Sequence, residues 1–162
     1  MYSKKYFIGN WKMYGLKKDL AQIKNVEKYL IKNKKISNLN CIFCLPHTLL
    51  GFASCKLKLK KVNLGAQNIS NKPSDFGPYT GSVSSRMIKN INAKFTIIGH
   101  SELRSSGETE RDISAKITLA SKKSLKIILC VGEDYKNFKN KNSFNIVKKQ
   151  LSLCLRKNKK YL

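Results

Sequence analysis

The stretch FTIIGHSE, Phe95–Glu102, joins a strand-like apolar run to a histidine, a serine and a glutamate. Its first four residues are apolar or β-branched, which is typical of a strand buried on both faces. His100 and Glu102 then follow at the carboxyl end of that strand. Ser101 and Glu102 also suit the first turn of a helix. The stretch therefore predicts a buried strand that ends in titratable side chains and leads directly into a helix.

Four more apolar runs of the same kind recur along the chain. The five runs are YFIGN from Tyr6, CIFCL from Cys41, VNLGAQ from Val62, FTIIGH from Phe95 and IILCVGE from Ile127. Segments with a helical period separate or follow them, and their apolar positions are Leu16, Leu20, Ile23, Val26 and Leu30, then Ile113, Ile117 and Ala120, then Phe144, Val147, Leu151, Cys154 and Leu155. This fivefold βα alternation predicts an α/β protein with a parallel sheet and right-handed crossovers.

The order of elements leaves two architectures, a doubly wound five-stranded sheet or part of a (β/α)8 barrel. A doubly wound nucleotide-binding protein usually has a glycine-rich loop after its first strand, whereas this chain has IGNWKMYG there. Polar residues close several strands, namely Asn10 and Lys12, Gln67 and Asn68, His100 and Glu102, and Glu133. The carboxyl ends of barrel strands converge on one mouth, where active sites of that fold are built. The pattern therefore favours a barrel.

One helix start has a local signal of its own. SSGE, residues 105–108, has the spacing of a capping box, in which a serine and a glutamate three positions later satisfy the first backbone N–H groups. We therefore predict that a helix begins at Ser105.

The formal charge of +24 raises the possibility of a nucleic-acid-binding module. Of the 33 basic residues only four are arginines, which leaves 29 lysines distributed along the whole chain. Dedicated nucleic-acid readers use arginine forks and interleaved stacking aromatics, so we interpret the charge as a solvated lysine-rich surface and expect no nucleic-acid partner. A duplex-binding titration across salt concentrations tests this alternative.

The five cysteines and the length of the chain set further limits. CIFC, residues 41–44, has redox or metal spacing, but strand alternation sends Cys41 and Cys44 to opposite faces, so both are predicted core thiols and no metal site is expected. The 162 residues suit one domain, residues 1–162. Because no run approaches the ~20 apolar residues of a membrane helix and no secretion signal is evident, we expect a cytoplasmic protein with no membrane partner.

Five motifs, GNWKM, GAQN, YTG, IIGHSE and LCVGE, occur in one order and spacing between Gly9 and Glu133. Together they resemble the triosephosphate isomerase family. The resemblance implies an incomplete TIM (β/α)8 barrel with about five of eight βα units. It also implies interconversion of dihydroxyacetone phosphate and glyceraldehyde 3-phosphate in glycolysis and gluconeogenesis, by a homodimer that uses no cofactor and no metal.

The same resemblance assigns expected roles to individual residues. Lys12 is expected to contact the substrate and stabilise developing negative charge, and Asn10 to bind the substrate. His100 is the expected electrophile, and Glu102 is the expected buried acid that contacts the lysine. The loop expected to insert into a partner subunit contains Thr80 and Gly81.

The sequence also departs from the family pattern. It contains no counterpart of the sixth-strand glutamate that serves as general base, of the mobile lid or of the phosphate-binding strands, and we expect a C-terminally truncated barrel with bare strand edges. Leu103 stands where the family commonly has arginine, while Arg104 is retained. Two hypotheses follow: an isomerase represented by its first five βα units, or a catalytically inactive fragment or remnant.

Overall fold

Five short parallel strands form one curved sheet that closes about half of a barrel. The computed structural model describes residues 4–33, 38–156 and 158. The strands are β1 (Lys5–Asn10), β2 (Leu39–Leu45), β3 (Val62–Ala66), β4 (Phe95–Ile98) and β5 (Lys126–Leu129). They pair in chain order, each parallel to its neighbour. The predicted series of five parallel strands is therefore confirmed, and so is the incomplete α/β barrel.

Helices follow every strand. After a 3-10 turn at Lys17–Leu20 they are α1 (Ala21–Lys32), α2 (His47–Lys56), α3 (Ser85–Asn90), α4 (Ser101–Ser105), α5 (Glu110–Lys122), α6 (Tyr135–Lys139) and α7 (Ser143–Leu155). None of these described helices is long and apolar enough to cross a membrane.

The alternation of side chains along the strands divides the core into two clusters. The larger cluster lies between the sheet and the helices and includes Cys41 and Leu45 of β2. The smaller cluster lines the inner face of the sheet and includes Ile42 and Cys44 of the same strand. The two cysteines of CIFC are thus buried on opposite faces, and none of the five cysteines is bridged. Their predicted role as core thiols is confirmed.

Strands β1 and β5 form the two edges of the described sheet. On β1 the side chains of Tyr6, Phe7 and Ile8 remain 52%, 57% and 43% exposed. Large apolar side chains with this exposure are unusual within a parallel barrel strand, which is normally covered on both faces. Within the residues described, the prediction of bare edges is therefore confirmed.

The start of α5 differs from the SSGE prediction. Ser105 is the last residue of α4, and α5 begins at Glu110 with Thr109 as its N-cap. The backbone N–H of Asp112 donates to Thr109 Oγ1 at 3.2 Å, and the Thr109 N–H donates to Asp112 Oδ2 at 3.0 Å. Gly107, with φ of +100°, interrupts the helical path between the two helices. The predicted helix start at Ser105 was wrong because a second, reciprocal capping box lies four residues further on.

Helix α1 starts later than its apolar stripe indicates, and it buries one acid. Leu16 lies before the 3-10 turn and is 65% exposed. On the buried face of α1, Glu27 is only 5% exposed. Its carboxylate accepts hydrogen bonds from the backbone N–H groups of Lys60, Lys61 and Val62. This acid on the buried face of α1 thereby fixes the segment through which the chain enters β3.

Candidate active site

The first part of the site is the turn that follows β1. Lys12 adopts the left-handed conformation with φ of +49°, which is uncommon for a residue with a Cβ atom. Its backbone N–H donates to the Asn10 side-chain oxygen at 3.0 Å. Asn10 thus uses its amide to stabilise the turn that carries the lysine.

The second part is a glutamine at the end of β3. Gln67 Nε2 lies 2.8 Å from the Lys12 carbonyl oxygen, 3.1 Å from Asn10 Oδ1 and 3.2 Å from the Cys44 carbonyl oxygen. The sequence placed Gln67 among the polar strand ends but did not assign it to the site. The signal was present, because GAQN is one of the five motifs and follows a strand directly.

His100 follows β4 through a turn at Gly99, where φ is +74°. A Cβ atom at Gly99 would lie 3.0 Å from the Arg104 guanidinium and 3.2 Å from the Cys130 carbonyl oxygen. Arg104 holds this turn by donating from Nε to the Gly99 carbonyl at 2.7 Å. The crowded turn therefore requires glycine and fixes the direction in which the chain leaves the strand.

His100 is also the N-cap of α4, whose first turn contains Ser101 and Glu102 as the sequence predicted. The Glu102 backbone N–H lies 3.4 Å from His100 Nδ1, and Glu102 Oε2 lies 3.4 Å from the same nitrogen. An unprotonated Nδ1 accepts from the backbone, whereas a protonated Nδ1 donates to the carboxylate. In the first of these states the ring proton is at Nε2, which leaves that nitrogen as a hydrogen-bond donor.

Lys12 and Glu102 form an ion pair with Nζ 2.9 Å from Oε1. The hydrogen bond with Glu102 raises the pKa of Lys12 above 10.5, and the same bond lowers the pKa of Glu102 below 4.5. The contact between the two was predicted, but the expectation of a buried acid was wrong. Their side chains are 50% and 59% exposed, because the mouth is open on the side between β5 and β1.

These side chains share one cleft. A cavity of about 310 Å³ is lined by Asn10, Lys12, Gln67, His100 and Glu102, among other residues. The structure thus brings together the three residues that the sequence assigned to catalysis or substrate binding, Asn10, Lys12 and His100, with the supporting acid Glu102. Among the described residues, no group of three or more His, Cys, Asp or Glu side chains is placed to hold a metal ion.

Comparison with known proteins agrees with this geometry. The family model described as triosephosphate isomerase matches residues 5–161. This chain belongs to the triosephosphate isomerase family. It is 33% identical over 144 residues to the triosephosphate isomerase of Alkaliphilus oremlandii and 34% identical over 152 residues to that of Hydrogenovibrio crunogenus. These matches cover 88% and 93% of this chain but 56% and 58% of the relatives.

A solved structure gives the same result for the fold. The crystal structure of triosephosphate isomerase from Bartonella henselae superimposes with a TM-score of 0.85 at 31% identity. The match covers 93% of this chain and 61% of the other. The chain therefore spans about 60% of the length of the triosephosphate isomerases that it matches, with the fold of the matched part preserved.

Thr80 and Gly81, the expected dimer residues of the triosephosphate isomerase motif YTG, lie outside the cleft. They are exposed in a turn of the loop formed by residues 67–84, and Gly81 has φ of +78°. Asp75 Oδ2 of the same loop lies 2.6 Å from Lys123 Nζ and 3.9 Å from the Arg86 guanidinium. We refer to Asp75, Arg86 and Lys123 as the loop clamp, because they attach the loop to the start of α3 and the end of α5.

Proposed function

We propose that the protein containing these residues is a triose-phosphate isomerase that interconverts dihydroxyacetone phosphate and D-glyceraldehyde 3-phosphate. The observation that carries this proposal is the cleft in which Asn10, Lys12, His100 and Glu102 meet at the ends of β1 and β4. Membership of the triosephosphate isomerase family supports the assignment of substrate.

The residues in the cleft suit a reaction through an enediolate. Removal of a proton beside a carbonyl group leaves negative charge on oxygen, and fixed donors aimed at that oxygen stabilise the transition state. Lys12 supplies a permanent positive charge, since its ion pair with Glu102 raises its pKa. His100 with a proton on Nε2 donates a hydrogen bond to the carbonyl and transfers that proton between the two oxygens, which is the arrangement known from triosephosphate isomerases. Asn10 supports the lysine turn and lines the substrate space.

The proton on carbon needs a base that the cleft residues do not supply. Glu102 is hydrogen-bonded to Lys12 and is therefore committed to the ammonium group. Residues 1–162 contain no counterpart of the family's sixth-strand glutamate. We propose that this base, the lid and the phosphate-binding amides come from three further βα units. The relatives support this proposal, because they extend well beyond the matched part.

A second candidate is a catalytically inactive form of the same enzyme. The observation that favours it is the coverage of only 56–61% of the relatives. His100 and Lys12 act alone on this hypothesis. Without a base, a lid and phosphate-binding amides, they lack most of the interactions that stabilise a transition state. On this hypothesis residues 1–162 bind or assemble without turning over substrate.

The test begins with the coding DNA after Leu162 and continues with kinetics. The polypeptide of residues 1–162 and the longest product of the reading frame are assayed for isomerisation in both directions. We expect activity only when a glutamate-bearing sixth strand is present, and a Lys12→Met change to lower kcat by about 10²–10³-fold through loss of oxyanion stabilisation. Lys18→Met in the 3-10 turn is the matched control with the same loss of charge. A longer product that carries all eight units and is inactive contradicts the proposal.

Three further statements belong to this proposal. The 162 residues are part of a single barrel domain, the enzyme acts in the cytoplasm, and it forms a homodimer through the loop that bears Thr80 and Gly81. The exposure of these two residues in the loop supports the last statement. Sedimentation of the active form and of its Thr80→Arg variant tests the dimer, since a large cation in this loop is expected to produce monomers.

A further inference from the structure

The backbone of Lys12 is held at both of its polar groups by side chains. Its N–H donates to Asn10 Oδ1 at 3.0 Å, and its carbonyl accepts from Gln67 Nε2 at 2.8 Å. We propose that Gln67 is a positioning residue, which keeps Lys12 in its left-handed backbone conformation and thereby places the lysine ammonium beside Glu102 in the cleft. The catalytic consequence rests on the proposed isomerase function, whereas the positioning itself can be tested without it.

The conformation of Lys12 needs such support. A residue with a Cβ atom is less stable in the left-handed region than in the right-handed region, because the Cβ atom lies too close to the following carbonyl oxygen. Such a residue persists only where its surroundings over-determine it. Asn10 alone constrains the N–H side of Lys12, because it precedes the lysine by two positions on the same turn. Gln67 constrains the carbonyl side from a different strand, 55 residues further along the chain.

The amide of Gln67 also connects three strand ends. Its two hydrogens face three acceptors, of which the Lys12 carbonyl is the nearest at 2.8 Å and the Cys44 carbonyl the farthest at 3.2 Å. The third acceptor is Asn10 Oδ1, the same atom that accepts from the Lys12 N–H. Gln67 therefore fixes the position of Lys12 relative to the ends of β1, β2 and β3, and not only relative to its own turn.

The chain offers a matched control for this glutamine. Gln150 of α7 donates from Nε2 to the Gly132 carbonyl at 2.8 Å and accepts from the Gly132 N–H at 2.9 Å. It therefore holds the loop after β5 with the same amide chemistry, away from Lys12. Gln67→Met and Gln150→Met remove the same functional group with the same change in shape. Gln67→Glu provides a second variant, since its carboxylate keeps the volume but cannot donate to a carbonyl oxygen.

The first measurement is an NMR titration of the Lys12 ammonium and the Glu102 carboxylate. In the wild type their pKa values are displaced apart by their hydrogen bond. In Gln67→Met we expect the pKa of Lys12 to fall towards 10.5 and that of Glu102 to rise towards 4.5, because the ammonium leaves the carboxylate. In Gln67→Glu the new carboxylate acts on Lys12 itself, so there the expected sign of the displacement is the rise in the pKa of Glu102. Gln150→Met is expected to leave both values unchanged. Wild-type titration curves in both Gln67 variants overturn the proposal.

The second measurement is a double-mutant cycle with Lys12→Gly. Glycine adopts positive φ without steric cost, so it recovers no strain when Gln67 is lost, whereas a lysine that leaves this conformation recovers its strain and offsets part of the lost hydrogen bonding. We therefore expect Gln67→Met to raise the unfolding equilibrium constant by about threefold when residue 12 is lysine and by about tenfold when it is glycine. If Gln67→Met changes the unfolding equilibrium constant by the same factor in both backgrounds, Lys12 keeps its conformation without Gln67. That result contradicts a positioning function and leaves Gln67 only as a link between strand ends.

The kinetic measurement separates this inference from the proposed function. In the longest active product, Gln67→Met is expected to lower kcat more than it raises KM, because a displaced ammonium group is lost mainly from the transition state. A wild type without isomerase activity refutes the proposed function but leaves the titration and the cycle as valid tests of the positioning. An active enzyme in which Gln67→Met changes only KM refutes the kinetic consequence.

Discussion

Glu27→Ala is expected to destabilise the protein by more than any substitution of an exposed acid. The Glu27 carboxylate lies under the segment that enters β3 and is 5% exposed. Its oxygens accept from the Lys60 N–H at 2.6 Å, from the Lys61 N–H at 3.1 Å and from the Val62 N–H at 2.8 Å. Removing it leaves three neighbouring backbone donors without their acceptor at the start of a central strand.

The magnitude follows from where these donors lie. Val62 is buried, so its N–H loses its partner without access to water, at a cost of about 1–3 kcal/mol. Lys60 and Lys61 are exposed, and water replaces the acceptor there at a cost of about 0.5–1 kcal/mol each. The expected loss is therefore roughly 2–5 kcal/mol, a large part of the 5–15 kcal/mol typical of a domain.

The assay is urea unfolding followed by circular dichroism. With a slope of about 2 kcal/mol/M, the expected loss lowers the midpoint by about 1–2.5 M. Glu133→Gln is the control for the lost charge, which matters in a chain of net charge +24. Glu133 forms no side-chain hydrogen bond or ion pair with the residues described, so this change is expected to shift the midpoint only slightly. If Glu27→Ala behaves like Glu133→Gln, the assignment of the carboxylate as the anchor of β3 is refuted.

Three further outcomes are expected. Pairing with Lys12 lowers the pKa of Glu102, so the carboxylate contributes its full stabilisation above pH 4.5 and loses it as the pH falls below that value. In urea titrations, the difference in unfolding free energy between Glu102→Gln and the wild type is therefore expected to disappear at low pH. At pH 8, iodoacetamide is expected to modify the exposed Cys55 of the native protein and to spare the buried Cys154. Burial and a neighbouring carboxylate raise the pKa of Cys154 to about 12, so its thiol stays protonated at this pH. Equal rates of modification contradict this expectation. Lys123→Gln, which opens the loop clamp, is expected to speed amide hydrogen exchange in residues 76–83 by roughly two- to fivefold, while Lys122→Gln beside it has no effect.

The strands and their order were predictable because their signal is local. Each strand is a short apolar run whose neighbours in the chain are also its neighbours in the sheet, so no long-range information was needed. The opposite burial of Cys41 and Cys44 followed from the period of two along a strand. Lys12 and His100 were found through motif resemblance, and chain order then placed them at the same edge of the sheet.

The contacts that hold the site were not predictable in the same way. Glu27 stands in an amphipathic helix pattern, and nothing local indicates that its partners lie more than 30 residues further on. Gln67 is one polar strand end among several, and its choice of the Lys12 carbonyl depends on how three strands align. The exposure of Glu102 is likewise a property of the open sheet and not of its own sequence motif. For Glu27 and Gln67 the deciding partners are distant in the chain, and for Glu102 the deciding feature is the shape of the whole sheet.

The half-barrel already fixes the relative positions of the charged groups that chemistry requires. Lys12 and Glu102 are in contact although their side chains are 50% and 59% exposed, and His100 Nδ1 lies 3.4 Å from the same carboxylate. Charges in such an open cleft interact through water, whose high dielectric constant weakens their attraction. Under the proposed function, three further βα units cover the mouth and exclude that water, so that the same ammonium acts on an oxyanion in a medium of lower dielectric constant. The described residues supply the positions of these side chains, and the proposed closure supplies the environment of low dielectric constant.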